Sequence, residues 1–539
     1  MSKVLTRQTG EVPPPSLRFR DVSFKARVRH NYGCNEQTYE ELVKYKHIWQ
    51  KSLFYVDEDL LAESVANGNL QTKPVLTLSD MELNLPDPVL EPIDNIDHEV
   101  QLSILVTKGK DNKDEIIEYE QSIPINARNG VLAFTGGQIT SVSWLPKPLD
   151  NFDDYLYLAV SVIYNPKGLH DSVISPQLSM FPKNLQENCI KSSIQIWKYS
   201  LTNNSAQVVK TYDVSNIGAS SNLQWLQIYT KDSSSLGVLI GAFTDGKIHL
   251  IKISVNDTKY VKMIESSLTY TAPGGTDEAS IVCFDTFGYN KLIVGMSNGC
   301  IAEYVLPYMN FDESVDLDVS VPSYIFRVET SSVSSVMVAE PESGKFLVVV
   351  NTTGYQGLVY EYDNFIQGRT ISLSVRNVIK PVYNHALKVY LSTMPDSVYY
   401  NYIRTAQEKS NSLLKCDAFI TSSSLSDILS HPLNISGTSD GDVILVDYAR
   451  KILNGTKTTK KVLVPLKLWK LKLINGKLIL VSDFEPIAAE PPTQSPVSPP
   501  EVIFSGVSWN ENIVGSSIYA AGTASGLLII ERLDPSKGK

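Results

Sequence analysis

LNISGTSDGDVILV, residues 433–446, consists of an apolar strand that ends at Gly437, a short polar turn that ends at Gly441, and a second apolar strand. A tight turn between neighbouring strands needs residues that tolerate positive φ, which favours Gly, Asn and Asp. The flanks carry β-branched side chains, which pack well between sheets. This stretch therefore predicts an antiparallel β-hairpin.

The hairpin pattern recurs three more times along the chain. The copies are VLIGAFTDGKIHLI (238–251), LIVGMSNGCIAEYV (292–305) and YAAGTASGLLIIERL (519–533). Each copy follows a further apolar strand, such as SIVCFDTF or FSGVSWNE. Because a repeated unit of consecutive strands is typical of propeller blades, we predict an all-β fold: a seven-bladed WD40-like β-propeller with an extended N-terminal arm.

Two regions follow from this pattern, the arm over residues 1–97 and the propeller over residues 98–539. The fifth blade follows the pattern least, and its sequence also allows helix. The first blade contains a long insertion at about 164–191. The expected blades cover about 130–215, 219–268, 277–320, 322–370, 371–410, 411–485 and 500–535.

Ring closure and one long loop are also predicted. The seventh blade has three strands of its own, so we expect a closing strand from about 100–125, which contains VQLSILV and EIIEYEQSIPI. Residues 488–501, AAEPPTQSPVSPPE, are too rich in proline for a sheet interior. We expect them to form a proline-rich loop between the last two blades.

The N-terminal arm is basic first and acidic afterwards. Residues 1–52 carry ten Lys or Arg against five acids, and residues 53–97 carry ten acids against Lys73 alone. The triple proline at 13–15 and the acidic, proline-spaced stretch at 86–97 favour an extended chain, with one short helix near 38–51. We expect the arm to lie across a partner or across the ring.

Composition places the protein in a broad class. Its net charge of -10 argues against a protein that coats nucleic acid over its whole surface. Its five cysteines are odd in number and far apart, which favours reduced thiols. The sequence lacks both a long apolar stretch and the apolar core of a signal peptide, so we expect a soluble intracellular protein.

Motifs for catalysis are missing from the sequence. It contains no phosphate-binding glycine loop, no Gly-x-Ser-x-Gly elbow and no dinucleotide fingerprint. His30, Cys34 and His47 come nearest to a metal set, but the spacing lacks a second cysteine pair. We therefore predict no catalytic residue, no metal and no cofactor, while a site assembled from separate blades around the central channel stays open.

Two basic segments are candidate binding sites for nucleic acid or an acidic partner. In the arm the candidates are Arg18, Arg20, Lys25, Arg27 and Arg29, which are interleaved with aromatic residues. The flanking acids equally permit self-docking of the arm on the propeller.

The second segment, residues 450–477, holds nine Lys or Arg and no acid. Its candidates are Lys457, Lys460 and Lys461, with an exposed Trp469 available for stacking. The alternative is that its alternating lysines form the solvated face of an outer strand.

Taken together, these features resemble one family. The basic arm with RVRHNYGCNEQTYEEL, the strand GGQITSVSWLP, the strand SIQIWKYS and the terminal GVSWNEN with IYAAGTASGLLIIERL are similar to the fungal WD-repeat subunit of transcription factor IIIC. That subunit belongs to the half of the complex that recognises box B.

The resemblance implies a function and a location. It implies a nuclear, non-catalytic scaffold that binds a second propeller subunit and the large DNA-binding subunit of the same complex. Such a complex serves RNA polymerase III at tRNA genes, and the arm cations are the positions that would touch DNA. A WD-repeat adaptor of a coat, a nuclear pore or a ubiquitin ligase is the alternative.

Overall fold

The four predicted hairpins are antiparallel strand pairs in the computed structural model of the chain. The pairs are β13 (Ser235–Phe243) with β14 (Ile248–Ser254), β18 (Lys291–Met296) with β19 (Cys300–Val305), β30 (Leu433–Thr438) with β31 (Asp442–Asp447), and β36 (Ile518–Thr523) with β37 (Leu527–Arg532). The second glycine of every turn has a positive φ. Local turn chemistry therefore specifies these hairpins, as the sequence predicted.

The structure describes the following residues of the 539-residue chain: 25–26, 28–49, 62–63, 65–67, 75–78, 83, 85–96, 100–108, 111–125, 128–164, 191–230, 235–255, 258–273, 279–288, 290–306, 321–342, 344–354, 357–370, 379–405, 410–425, 433–454, 463–482, 485–486 and 498–533. The predicted insertion falls between β8 and β9, and residues 165–190 lie outside the described part. Most of the predicted proline-rich loop, 488–497, also lies outside it.

Seven sheets of four or more strands follow one another along the described chain. Sheet one runs from β2 (Val89–Pro92) through β15 (Tyr260–Glu265), β10 (Ser205–Asp213), β9 (Lys191–Ser200) and β8 (Tyr155–Tyr164) to β7 (Gln138–Trp144). Sheet two is β11 (Ser220–Trp225), β13, β14 and β16 (Leu268–Tyr270). Sheet three is β17 (Ile281–Phe287), β18, β19 and β20 (Tyr324–Arg327). Sheet four is β21 (Val333–Glu342), β22 (Lys345–Thr352), β23 (Gly357–Glu361) and β24 (Asn364–Thr370).

The remaining sheets complete the series. Sheet five is β25 (Val382–Asn384), β26 (Val389–Met394), β27 (Ser397–Tyr402) and β28 (Asn411–Lys415). Sheet six is β29 (Ile420–Leu425), β30, β31, β32 (Leu466–Ile474), β33 (Lys477–Val481), β3 (Gln101–Lys108) and β4 (Asp111–Glu118), with β34 (Glu485–Pro486) paired to β32. Sheet seven is β35 (Phe504–Trp509), β36, β37, β6 (Asn129–Phe134) and β5 (Ser122–Pro124). A small sheet joins β1 (Leu76–Leu78) to β12 (Ile228–Thr230), and the helices are α1 (Glu36–Trp49), α2 (Ala449–Asn454) and a 3-10 turn at Pro500–Val502.

The sheets are arranged as in a propeller. The first strand of each sheet contacts one of the first two strands of the sheet before it, and β35 of sheet seven contacts both β29 of sheet six and β7 of sheet one. The contacts therefore run round in a circle, with the first strands innermost. The predicted all-β, propeller-like fold is confirmed.

Polar side chains join neighbouring innermost strands. The backbone N–H of Trp509 donates to Ser424 Oγ at 3.0 Å, and that of Val338 donates to Asp285 Oδ2 at 2.7 Å. An innermost strand is an edge strand, and its backbone donors need partners when they are buried. These contacts link sheet six to sheet seven and sheet three to sheet four.

Sheet seven is completed by strands from the N-terminal side of the ring, but the main one lies just after the predicted range. The partner of β37 is β6, residues Asn129–Phe134, and β5 at the end of the predicted range 100–125 pairs with β6. Strands β3 and β4, from the rest of that range, extend sheet six through β33. The reason is burial. In β6, Asn129 is exposed and residues 130–134 are all buried, which suits a position inside a sheet. Strand β4 carries exposed charged side chains, which suit an outer edge.

The fifth sheet is also more regular than its sequence indicated. Helix was allowed within 371–410, but the described residues of that range, 379–405, hold β25, β26 and β27 and no helix. Tyr390 and Tyr400 are fully buried between sheets. Tyrosine-rich strands of this kind fit a pleated, buried surface, although their hairpin lacks a glycine turn signal.

Parts of the acidic N-terminal segment lie on the ring. Strand β1 pairs with β12 and β2 pairs with β15. Leu83 and Leu85, between these two strands, and Ile96, after β2, are buried. Helix α1 begins two residues before the expected helix at 38–51 and ends at Trp49. Residues 1–24 are outside the described part, so an arm over the whole of 1–97 stays a prediction. No helix among the described residues is long and apolar enough to span a membrane.

Two glycines with positive φ allow a matched test of the turn argument. Gly299 (φ 81°) lies in the β18–β19 hairpin, where a Cβ would overlap the carbonyl oxygen of Glu329, and Gly344 (φ 74°) has open space around it. We expect Gly344→Ala to cost about 1 kcal/mol of unfolding free energy, for the left-handed backbone alone. Gly299→Ala is expected to cost at least about 3 kcal/mol, because the overlap adds to that strain. Denaturant unfolding of both variants checks this, and equal losses would refute the steric argument.

Candidate partner and nucleic-acid interface

The connections after the third strands of sheets five and six lie at the same end of these sheets as the described N-terminal helices. In an antiparallel sheet the connections after the first and third strands lie at the same end. Helix α2 follows β31, the third strand of sheet six, and residues 403–405 follow β27, the third strand of sheet five. We call this end of sheets five and six the helix-bearing face.

The described N-terminal helices pack on that face. Val28 and Leu42 are buried in the same core cluster as Tyr402 and Ile452, and α1 contacts α2. The rings of Tyr32 and Tyr402 meet edge to face at 5.4 Å. The described part of the basic segment is therefore docked on the chain's own ring, which was one of its two expected roles.

Two of the five predicted arm cations, Lys25 and Arg29, are described. Lys25 Nζ lies 3.2 Å from Glu36 Oε1 and 5.0 Å from the centre of the Tyr39 ring, so it is engaged within the segment. Its side chain is still 31% exposed. Arg18, Arg20 and Arg27 lie outside the described residues.

The residues that flank the second predicted basic segment lie at the same face. Lys457, Lys460 and Lys461 lie outside the described residues, between α2 and Leu463. Lys451 of α2 donates to the carbonyl of Ser412, and the N–H of Leu463 donates to that of Leu413 at 2.8 Å. Both ends of the loop are thus anchored on β28, beside the docked helices.

The lysines of β32 are paired with acids from neighbouring strands and turns. Lys470 Nζ lies 2.7 Å from Asp440 and 3.2 Å from Asp442, and Lys467 Nζ lies 3.4 Å from Asp442. Lys477, just after the turn, pairs with Asp114 of β4. These contacts favour the alternative in which this stretch is an outer strand.

Trp469 is not available for stacking on a base, contrary to the prediction. Its side chain is fully buried, and its Nε1 donates to Glu531 at 2.9 Å and to the Tyr519 hydroxyl at 2.8 Å. From Trp469 onward the strand alternates, so Trp469 and Leu471 are buried while Lys470 and Lys472 lie on the other face. A bulge between Lys467 and Trp469 shifts the register before them. The face that holds the tryptophan points into the core.

The acid pair beside these lysines predicts a pH dependence. Burial and the neighbouring Asp440 raise the pKa of Asp442 to about 6 from its usual 3.8, against the opposing effect of Lys470. The folded state therefore binds the proton more tightly than the unfolded chain, so this group makes stability fall as pH rises from about 4 to about 6. We expect Asp442→Asn to reduce that fall by roughly 2 kcal/mol, measured by denaturant unfolding at several pH values. Asp114→Asn, at an exposed pair, is the control, and an unchanged pH profile for Asp442→Asn would contradict the prediction.

A buried ionic cluster at the ring closure was not found from the sequence. We call Arg128, Trp469, Tyr519 and Glu531 the closure cluster. Arg128 Nε and Nη2 donate to the two oxygens of Glu531 at 2.5 and 2.7 Å, and its guanidinium lies 3.7 Å from the centre of the Trp469 ring. The Tyr519 hydroxyl also donates to Glu531, and burial raises its pKa. The cluster joins the residue before β6 to sheets six and seven.

The innermost strands surround a cavity of about 740 Å³. Much of its wall is built from serine and threonine, and its charged side chains include Asp285, whose Oδ1 lies 2.6 Å from Lys380 Nζ. Asp285 is thus used in an ion pair and in the contact to Val338. Burial raises the pKa of the Cys283 thiol to about 12, which makes it a poor nucleophile.

The described residues contain no group of three or more side chains that suits a metal ion. Cys34 is exposed in the turn before α1, and the side chain of His47 lies outside the described part. The ring nitrogens of His249 lie 2.9 Å from Asp245 Oδ2 and 2.9 Å from Ser266 Oγ. Its ring is therefore held in a polar network at the β13–β14 turn.

Comparison with known proteins gives one curated relative. No protein-family model matches the chain. The transcription factor tau 91 kDa subunit of Saccharomyces cerevisiae is 26% identical over 419 residues, which cover 75% of this chain and 58% of that protein. The chain thus spans less than two thirds of the length of this relative.

Solved structures give weaker likenesses. The crystal structure of Chaetomium thermophilum Raptor has a TM-score of 0.45 and 12% identity, over 77% of this chain and 29% of that one. A chain of the crystal structure of the mitotic checkpoint complex has a TM-score of 0.39 and 9% identity, over 75% of this chain and 90% of that one. With TM-scores below 0.5, neither likeness bears on function. The sequence match confirms the resemblance indicated by the motifs: over three quarters of its length, the chain is similar to the WD-repeat tau subunit of yeast transcription factor IIIC.

Proposed function

We propose that this chain is a subunit of a transcription factor IIIC-like complex and acts there as a non-catalytic scaffold. The observation that carries the proposal is the similarity to the tau 91 kDa subunit over 419 residues. That length covers far more than one propeller blade. It includes most of the ring, so the likeness extends beyond a single repeat.

The ring itself supports the scaffold role. We propose that the seven sheets are the seven blades of one WD-repeat ring, since their contacts run from sheet one to sheet seven and back. A closed ring offers two faces and an outer edge to different partners. The partners we propose are a second propeller subunit and the large DNA-binding subunit of the same complex.

The polar groups of the cavity favour binding over catalysis. Ser424, Asp285 and their neighbours on the innermost strands hold backbone groups of the next sheet. A catalytic acid or base needs free access to a substrate, and these side chains are already engaged. We therefore propose a protein without enzymatic activity, cofactor or small-molecule substrate.

Direct contact with DNA is proposed for the two basic segments. The arm cations and the loop Lys457–Lys461 belong to chain segments that begin at the same face, next to the α1–α2 contact. Phosphates attract such clusters whatever the base sequence. These cations would add to the hold of the complex on box B of tRNA genes, and the protein would act in the nucleus.

Rapid depletion of the protein in its own cells tests this function. We expect nascent tRNA synthesis and RNA polymerase III occupancy of tRNA genes to fall, because the complex loses a subunit that holds it together. Transcription of protein-coding genes serves as the internal control, and re-expression of the full chain should restore tRNA synthesis. Normal tRNA synthesis after complete depletion would reject the proposal.

A further inference from the structure

One arginine of the ring reaches the N-terminal segment. Arg404 lies in the connection after β27, and its Nη1 donates to the carbonyl oxygens of Arg29 at 3.0 Å and His30 at 2.8 Å. The last carbonyls of a helical stretch have few partners inside the helix, and a cation near them interacts favourably with the aligned peptide dipoles. Arg404 therefore holds the end of the helical residues 28–32.

The residues around this contact form a closed unit. Gly33 follows the helical residues with a φ of 98°, and its N–H donates to the carbonyl of Arg29 at 3.1 Å. The left-handed backbone at Gly33 reverses the chain into α1. The Lys25–Glu36 ion pair connects the residues before this turn to the start of α1. We call residues 25–49 the N-terminal hairpin.

Apolar contacts pack the N-terminal hairpin against sheets five and six, and Arg404 fixes its orientation. Val28 and Leu42 are buried in the core cluster of sheets five and six, and Tyr32 meets Tyr402, two residues before Arg404. Apolar packing has little directional preference, whereas a guanidinium shared by two carbonyls fixes both distance and angle. Arg404 is thus a directional contact between hairpin and ring.

We propose that Arg404 is a positioning residue that latches the N-terminal hairpin to the ring, and so fixes the point at which the basic chain before Lys25 departs. The inference rests on the proposed function, since its purpose is to hold the arm cations where they meet DNA phosphates. The latch itself is a property of the chain without DNA. The two parts can therefore be tested separately.

The first measurement is hydrogen exchange of the free full-length protein, followed by mass spectrometry of peptides from residues 28–44. We expect Arg404→Ala to speed exchange in these peptides by roughly tenfold, because the charge-assisted hydrogen bonds are lost. Arg404→Lys is expected to have a smaller effect. Arg327→Ala is the matched control, because Arg327 is an exposed arginine of sheet three whose Nε also faces a backbone carbonyl, that of Glu329. Unchanged exchange in Arg404→Ala would overturn the latch.

The second measurement is the affinity of the same proteins for a DNA duplex over a range of salt concentrations. Arg404→Ala is expected to bind roughly fivefold more weakly than Arg327→Ala at low salt, since both variants lose one charge and one of them also loses the latch. If Arg404→Ala exchanges faster but binds DNA as tightly as Arg327→Ala, the positioning role is overturned, while the proposed contact of the arm with DNA still stands. If removal of all five arm cations leaves wild-type DNA binding unchanged, the DNA contact itself fails, and the exchange data still decide the latch.

Discussion

Replacing Arg128 by alanine is expected to lower the free energy of unfolding by about 3–5 kcal/mol, the cost of breaking a buried ion pair from one side. The side chains of Arg128 and Glu531 are each 3% exposed, so the substitution leaves the Glu531 carboxylate buried without its cation. The carbonyls of Leu468 and Ser482 lose a donor at the same time. Because Arg128 directly precedes β6, the strand that completes sheet seven is loosened as well.

Denaturant unfolding measures this loss, and an exposed ion pair provides the control. Lys477 and Asp114 pair at the outer edge of sheet six with side chains 44% and 67% exposed, so Lys477→Ala is expected to cost less than about 1 kcal/mol. A double-mutant cycle of Arg128→Ala with Glu531→Gln should show strong coupling, since the second change removes the charge that the first leaves unpaired. If Arg128→Ala is as mild as Lys477→Ala, the closure cluster does not stabilise the ring.

Removing the five arm cations is expected to change DNA binding more than any other surface substitution. Each phosphate contact contributes about 0.9 to the slope of log affinity against log salt, so replacing Arg18, Arg20, Lys25, Arg27 and Arg29 by glutamine should flatten the slope by about four to five. Affinity should fall by a similar factor for every DNA sequence, because phosphate contacts do not read bases. Fluorescence titration of a labelled duplex at several salt concentrations measures both effects.

A control variant separates contact from total charge. It replaces five exposed cations of sheets one to four by glutamine: Lys191, Lys247, Lys262, Arg327 and Lys345. The net charge changes equally, so a general attraction would weaken both variants alike. We expect the control to keep nearly the wild-type slope. Equal slopes for the arm variant and the wild type would rule out direct contact by the arm.

Local signals predicted most of the fold. The four glycine-bounded hairpins contain both strands and the turn within 15 residues or fewer, so the decisive information is contiguous. The predicted insertion also fell between β8 and β9, with β8 ending at Tyr164. Turn chemistry and strand patterning are properties of neighbours in sequence, which is why these predictions succeeded.

The main closing strand, β6, falls just outside the predicted range 100–125, and the prediction missed it because its partner is remote. Strand β6 pairs with β37, about 400 residues further along the chain, and both β3 and β6 are apolar enough to serve. What separates them is burial on both faces, which depends on the neighbouring sheets. Sequence patterning reports one strand at a time, so it does not show this competition.

The candidate site shows the same limit. The lysines of β32 were recognised, but Asp440 and Asp442 belong to another hairpin and Asp114 to another region of the chain. Burial of Trp469 follows from the strand's alternation, yet its partners Arg128 and Glu531 lie about 340 and 60 residues away. Contacts of this kind arise when the ring closes.

Gentle purification of the tagged protein from its own organism, with mass spectrometry of the co-purifying chains and sequencing of bound DNA, tests the central proposal most directly. A subunit of a transcription factor IIIC-like complex should bring down a second propeller subunit, a very large DNA-binding chain and fragments of tRNA genes. Recovery of coat, nuclear-pore or ubiquitin-ligase subunits without promoter DNA would contradict the proposal and leave a propeller scaffold of another complex.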